Sequence, residues 1–177
     1  MGAMKKWIIM TCILLAAGLQ TTQGGTGWET NYDKAVEKAK ADGKYLLLDF
    51  SGSDWCGWCI RLDKEVFRKK AFKSYAEGKL ELVLLDFPNR KKQTKQEKER
   101  NAALAQKFGV QGFPTVLLLS PDEKLVGRTG YQRGGPKPYV EHLEEMVKAY
   151  EKKHGAPQKP EPKNEEQPTG SATKPAS

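Results

Sequence analysis

Apolar residues along this chain recur in two ways, at helical spacing and in unbroken runs, and the alternation of the two predicts its elements. Tyr32, Ala35, Val36 and Ala39 lie on one side of a helix over 31–41, and Asp42-Gly43 supplies a stop. The run Tyr45-Leu46-Leu47-Leu48-Asp49-Phe50 has no polar alternation, so it reads as a strand covered on both faces within a mainly parallel sheet. Ser51 to Trp55 is a turn rich in Gly, Ser and Asp, after which Cys59, Leu62 and Val66 share one side of a helix that begins at Cys56. Leu80 to Phe87 is a second buried strand. A basic stretch then leads into a helix ending near Phe108, and Thr115-Val116-Leu117-Leu118-Leu119 is a third strand. Ser120-Pro121-Asp122-Glu123 has the composition of a hairpin turn, Lys124 to Arg128 is a shorter and more polar strand, and Gly134-Gly135-Pro136 opens a last helix. Helices alternating with strands put the chain in the α/β class.

The two ends depart from this pattern. Lys5 and Lys6 precede an apolar run from Trp7 to Leu19, and small and polar residues follow through Gly25, the layout of an export leader over 1–25. The run is shorter than the roughly 20 residues of a membrane-spanning helix, so cleavage is expected, with an uncleaved anchor as the alternative. Cys12 sits inside the run, without the small-residue approach of a lipidated cysteine, and is given no role in the mature chain. Beyond His154 five prolines are interleaved with Lys, Glu, Ser and Thr, and no large apolar residue remains. Residues 156–177 are therefore expected to be a disordered tail, which leaves 26–155 as one domain.

Charge changes the picture only locally. The formal net charge is +8, and half of it falls between Pro88 and Arg100, where six basic residues face two acidic ones. Most such runs are solvated helix faces, and the i,i+4 pair Lys95 and Glu99 supports that here. A docking surface for an acidic partner is the alternative. Export would keep the chain away from nucleic acid.

Without the leader two cysteines remain, Cys56 and Cys59, in a compartment where disulfides persist. A loop this short constrains little of the unfolded chain, so the pair is better explained by chemistry than by stability. Cysteines at i and i+3 on a first helical turn close a small disulfide with little backbone movement. The free N–H groups and positive dipole end favour a thiolate, most of all on Cys56. Cys56 would attack a partner disulfide, and Cys59, one turn deeper, would attack Cys56 to release the partner. An inert bridge is one competing reading. Half of a zinc site is another, but four ligands are needed, and the two histidines, His142 and His154, lie far along the chain.

Leu48-Asp49-Phe50, Trp55-Cys56-Gly57-Trp58-Cys59 and Gly112-Phe113-Pro114-Thr115, in that order, resemble the thioredoxin superfamily. The resemblance covers nearly all of Gly27 to Tyr150. In detail the chain is similar to bacterial exported thioredoxin-like proteins whose segment before the helix reads Gly-Ser-Asp-Trp-Cys. It implies a thioredoxin fold, with a central mixed β-sheet of about four strands flanked by helices. It also implies that Pro114 is a cis-proline facing the cysteines, with Phe113 offering backbone hydrogen bonds to an extended client segment. Local sequence alone fits an ordinary proline at a strand start equally well. Asp49 matches the family's buried acid, which would take the proton of Cys59. One extra residue separates acid and cysteines here, and a structural, hydrogen-bonded aspartate is the competing reading. Trp55 and Trp58 would rim the client site, against core packing, which suits Trp55 better than Trp58. Gly130 falls where the family borders its substrate groove, though a turn requirement also explains it.

The resemblance thus implies an exported thiol-disulfide oxidoreductase, periplasmic or secreted, with a redox-active Cys56–Cys59 disulfide. No metal or bound cofactor is expected, because the cysteines carry the electrons. Protein clients with cysteines and a membrane electron donor are the expected partners of a monomer, with reduction the favoured direction. The alternative is a non-catalytic binding module that holds a client or partner protein on the same fold.

Overall fold

The apolar runs expected to be covered on both faces become the middle of a sheet. The computed structural model describes residues 27–157, so the expected leader over 1–25, Cys12 and the tail beyond 157 lie outside the described residues. Strand β2 (Tyr45–Ser51) is buried along its whole length. It pairs in parallel with β3 (Leu80–Asp86), from Tyr45 opposite Leu80 to Ser51 opposite Asp86. On its other side it pairs antiparallel with β4 (Thr115–Leu119), Phe50 facing Thr115. A polar strand, β5 (Leu125–Thr129), continues antiparallel beyond β4. The sheet order is β1-β3-β2-β4-β5, which gives five strands where about four were expected. The extra strand, β1 (Trp28–Glu29), is two residues long and too short to leave a periodic signal.

Local chemistry explains where the helices begin and end. Asn31 caps α1 (Tyr32–Asp42) by accepting from the Lys34 N–H, and Gly43 closes it in the left-handed region at φ 66°. Thr94 and Glu97 form a reciprocal capping box at the start of α4 (Lys95–Lys107). Pro136 starts α5 (Pro136–His154). The helix expected from Cys56 onward is three pieces instead. These are α2 (Gly57–Leu62), a π-helical turn (Asp63–Phe67) and α3 (Lys70–Lys79). The Arg68 N–H bonds back to the Asp63 carbonyl at 2.9 Å, and Lys69 is extended, so the chain changes direction before α3.

Side chains of β2 alternate between two apolar layers. Leu46, Leu48 and Phe50 pack with α1 and α4, where Ala35, Val36 and Leu104 are buried. Tyr45 and Leu47 pack on the other face with Leu62, Phe72, Tyr139 and Leu143. By the same alternation Asp49 belongs to this second face, under α2. No helix among the described residues is long and apolar enough to cross a membrane.

Tyr139 and Leu143 anchor α5, both essentially without solvent exposure, and the Tyr139 hydroxyl has no hydrogen-bond partner. Leu143→Ala should therefore cost about 2–5 kcal/mol. Tyr139→Phe removes only an unpartnered group and should cost nothing or stabilise slightly. Denaturant midpoints of the two variants check both expectations.

Candidate active site

The site begins where β2 ends. The Gly52 carbonyl accepts from the N–H groups of both Trp55 and Cys56, at 3.2 and 2.8 Å, and this turn delivers Cys56 as the N-cap of α2. Cys56 has extended backbone, and its sulfur accepts the Cys59 N–H at 3.2 Å. A sulfur thus occupies the place of the capping oxygen that most helices use, at the positive end of the dipole. Cys56 and Cys59 are joined by a disulfide with Cα atoms 5.3 Å apart, and both are buried. This is an environment that stabilises negative sulfur on Cys56 once the bond opens.

The turn is stapled to the connection after β3. Ser53 donates twice to the Asp86 carboxylate, from its backbone N–H at 2.9 Å and from its hydroxyl at 2.5 Å. The Asp54 carboxylate accepts from three successive backbone N–H groups, of Asn89, Arg90 and Lys91, at 2.7–3.0 Å. Those donors, Asn89 first, hold the Asp54 carboxyl below the usual carboxylate range. The Trp55 indole donates to the Phe87 carbonyl at 2.7 Å, and a side chain on Gly52 would meet that indole at 2.5 Å. Ser53, Asp54 and Gly52 are the residues that sequence reasoning missed, since their partners lie more than thirty positions away or in a neighbouring ring.

Trp55 and Trp58 are 46% and 49% exposed, so the core alternative for Trp55 does not hold. The Trp55 ring meets Phe113 edge-on at 5.9 Å, and Phe113 also packs against Phe87. Trp58 lies 5.0 Å from Tyr131, and the Arg61 guanidinium covers both rings. The Phe113–Pro114 peptide is cis. Because Phe50 pairs with Thr115, Pro114 sits at the end of the sheet where β2 enters the cysteine turn. Gly130 is beside it: a Cβ there would lie 3.0 Å from the Pro114 carbonyl oxygen. Close approach, rather than a turn, requires that glycine.

On the inner side, a cavity of about 540 Å³ is lined by Asp49, Cys59 and Asp63, with Trp28 and Phe67 among its apolar walls. Asp49 is 5% exposed, and its Oδ1 is buried without a hydrogen-bond partner. No protein group donates to this oxygen, unlike the hydrogen-bonded aspartate of the competing reading. The extra residue in the turn leaves Asp49 and Cys59 lining one cavity. Burial, followed by the charges of Asp63 and Asp86, pushes the Asp49 carboxyl up to about 8. Among the described residues no group of three or more His, Cys, Asp or Glu is arranged to hold a metal ion. In the basic stretch, Lys95 and Glu99 pair at 3.7 Å with both side chains largely in solvent.

Comparison with known proteins agrees with this geometry. The family model described as a thioredoxin-like domain matches residues 32–150. Disulfide bond reductase DsbH of Chlamydia pneumoniae is 34% identical over 121 residues, 68% of this chain and 72% of that protein. Thioredoxin-related protein DsbJ of the same organism is 30% identical over 72% of this chain, which spans 39% of that longer protein. A solved structure of DsbH oxidoreductase has 32% identity and a TM-score of 0.66, covering 74% of this chain and 93% of that one.

Two measurements check the site. Asp49 binds its proton more tightly in the folded chain than at the unfolded value of 3.8, so the folded state holds more protons between that value and about 8. Stability should fall as pH rises through this window, by up to about 1.4 kcal/mol per unit. Asp49→Asn should remove the slope, gaining about 2 kcal/mol or more over the wild type at pH 8 relative to pH 4 in thermal or urea unfolding. Asp54→Ala should free the amides of Asn89, Arg90 and Lys91, seen as exchange with solvent that is about tenfold faster.

Proposed function

The chain belongs to the thioredoxin-like family, and from that premise we propose that it is a thiol-disulfide oxidoreductase that reduces disulfides of protein clients outside the cytoplasm. The observation that carries this reading is the Cys56 sulfur at the N-cap of α2, accepting the Cys59 N–H and bonded to Cys59. In the reduced protein Cys56, as thiolate, attacks one sulfur of a client disulfide. The client S–S bond breaks, a mixed disulfide forms, and the first client thiolate leaves. Cys59 then gives its proton to Asp49 and attacks the Cys56 sulfur. The second client thiolate leaves, and the Cys56–Cys59 disulfide is restored. Two electrons have passed to the client, and a membrane-bound dithiol protein is the proposed source of the two that reset the pair.

Client binding is assigned to the rim around the disulfide. Trp55 and Trp58 supply exposed aromatic area, and we assign the backbone of Phe113 to pairing with an extended client segment, with Pro114 and Gly130 at its side. The exchange needs no bound cofactor, no metal and no second copy of the chain. Export is supported by the leader pattern over 1–25, and we assign 26–155 to the working domain and 156–177 to a dispensable tail. The reductive direction is supported by the similarity to the Chlamydia disulfide bond reductase. A reduction potential near −270 mV for the cysteine pair supports it, and one near −120 mV would make the protein an oxidant.

Trapping tests the mechanism. In Cys59→Ser, attack on an oxidised client should proceed and release should fail, so a disulfide-linked complex accumulates on non-reducing gels. Cys56→Ser should trap almost nothing. Equal trapping by the two variants overturns the assignment, and absence of turnover with a dithiol and a disulfide substrate leaves a binding module instead.

A further inference from the structure

Asp63 plays no part in the exchange steps above, yet it shares a cavity with two residues that do. It stands four residues after Cys59, one turn further along the same helix face, at the start of the π-helical turn. Both line the cavity of about 540 Å³ together with Asp49. The three are graded in depth. Asp49 and Cys59 are 5% and 3% exposed, whereas the Asp63 side chain is 39% exposed and its Oδ2 accepts from Arg68 Nε at 2.6 Å. Arg68 lies further out, with 73% of its side chain in solvent. A cavity of this size has room for water, so it offers a route by which a proton leaves the buried carboxyl.

We propose that Asp63 is a positioning residue of the release step, a carboxylate at the cavity mouth that sets the pH at which Asp49 accepts the proton of Cys59, with Arg68 tempering its charge. This rests on the role given to Asp49 above. In that step the Cys59 proton goes to Asp49, the Cys59 sulfur bonds to the Cys56 sulfur, and the electron pair of the broken Cys56–client bond leaves on the client sulfur. The proton then passes from Asp49 to solvent through the cavity. A negative charge at its mouth disfavours a second negative charge inside, so Asp63 delays the ionisation of Asp49. Among charged neighbours it ranks ahead of Asp86, whose carboxylate is already engaged by Ser53.

Other charged and titratable groups come from the elements around Asp49. Asp86 ends β3, Tyr139 comes from α5, and Arg68, Lys73 on α3 and Lys91 after β3 line the same cavity. A cation there acts in the opposite sense to Asp63. Lys91 is drawn away in part, since its amine donates to the Ser53 hydroxyl at 2.9 Å.

The experiment follows the Asp49 carboxyl by carbon NMR against pH in the reduced protein, alongside single-turnover release of a disulfide peptide. Wild type, Asp63→Asn, Arg68→Gln and Asp49→Asn are compared. Asparagine keeps the size of Asp63 and still accepts from Arg68, so Asp63→Asn removes charge alone. Its Asp49 midpoint and its release midpoint should both move down by about one pH unit. Arg68→Gln exposes the full charge of Asp63 and should move both midpoints up. Unmoved midpoints in Asp63→Asn, or a downward shift in Arg68→Gln, overturn the inference. Asp49→Asn should abolish the pH transition in release. If the transition survives that change, the role of Asp49 itself has failed, a result distinct from an Asp49 that titrates without regard to Asp63.

Discussion

The central strand β2 must be covered on both faces, and the rest of the site depends on that constraint. A strand buried along seven residues has no solvent side on which to place a charge. Its alternation sends Leu46, Leu48 and Phe50 to one apolar layer and Tyr45, Leu47 and Asp49 to the other. Asp49 is therefore held in the core by the packing of its neighbours, with an oxygen that nothing satisfies. An unpartnered buried carboxyl is costly as an anion, and the chain bears the cost at a strand position that opens onto the Cys59 cavity. The same strand, by ending at Ser51, sets where the cysteine turn starts and how deep its helix begins.

A reactive sulfur on a surface turn also needs a turn that does not drift. Three consecutive residues, Ser53 to Trp55, are fixed from outside their own turn, and the glycine before them gives them room. Gly52 makes room for the indole, Ser53 grips Asp86, Asp54 gathers three backbone N–H groups, and Trp55 reaches the Phe87 carbonyl. The basic stretch after β3 thus has a structural use at its start. Its backbone is the receptor for Asp54, and Lys91 adds a bond from its amine to the Ser53 hydroxyl. Trp55 is exposed for the same reason, because its polar edge is spent on the fold and its apolar face is left outward toward Phe113.

Patterns that live within one element were legible in the sequence, and features that need two elements were not. The runs Tyr45 to Phe50 and Thr115 to Leu119 declared the central strands, because covering both faces leaves no room for polar alternation. The cysteine spacing, the helix start and Pro114 could be read in order along the chain. β1 was invisible, since two residues carry no period and Trp28 is recruited by pairing with Leu82 and packing on Phe67, both from distant segments. The break between α2 and α3 was hidden because Cys59, Leu62 and Val66 keep helical spacing into the π-helical turn, while a backbone bond from Arg68 to Asp63 redirects the chain. Asp54 looked like an ordinary turn residue, and Asp63 like one more charge on a helix. Their surroundings come from distant segments.

Asp63 bears on why two cysteines three residues apart should take different parts in the proposed exchange. Both sit on the first turn of one helix, and spacing alone barely separates them. Their electrostatic surroundings do. Cys56 caps the N-terminus, where the dipole and the Cys59 N–H favour a negative sulfur, and it lies at the edge with the exposed tryptophans. Cys59 instead lines a cavity that also holds the carboxyls of Asp49 and Asp63, where a further anion is disfavoured until a proton has been taken up. Environments that pull two like groups apart are the usual way a site assigns an acid and a base, and here they order two thiols in time. In the proposed exchange, attack from Cys56 comes first because its charge is supported, and release waits on Asp49 because the Cys59 charge is not.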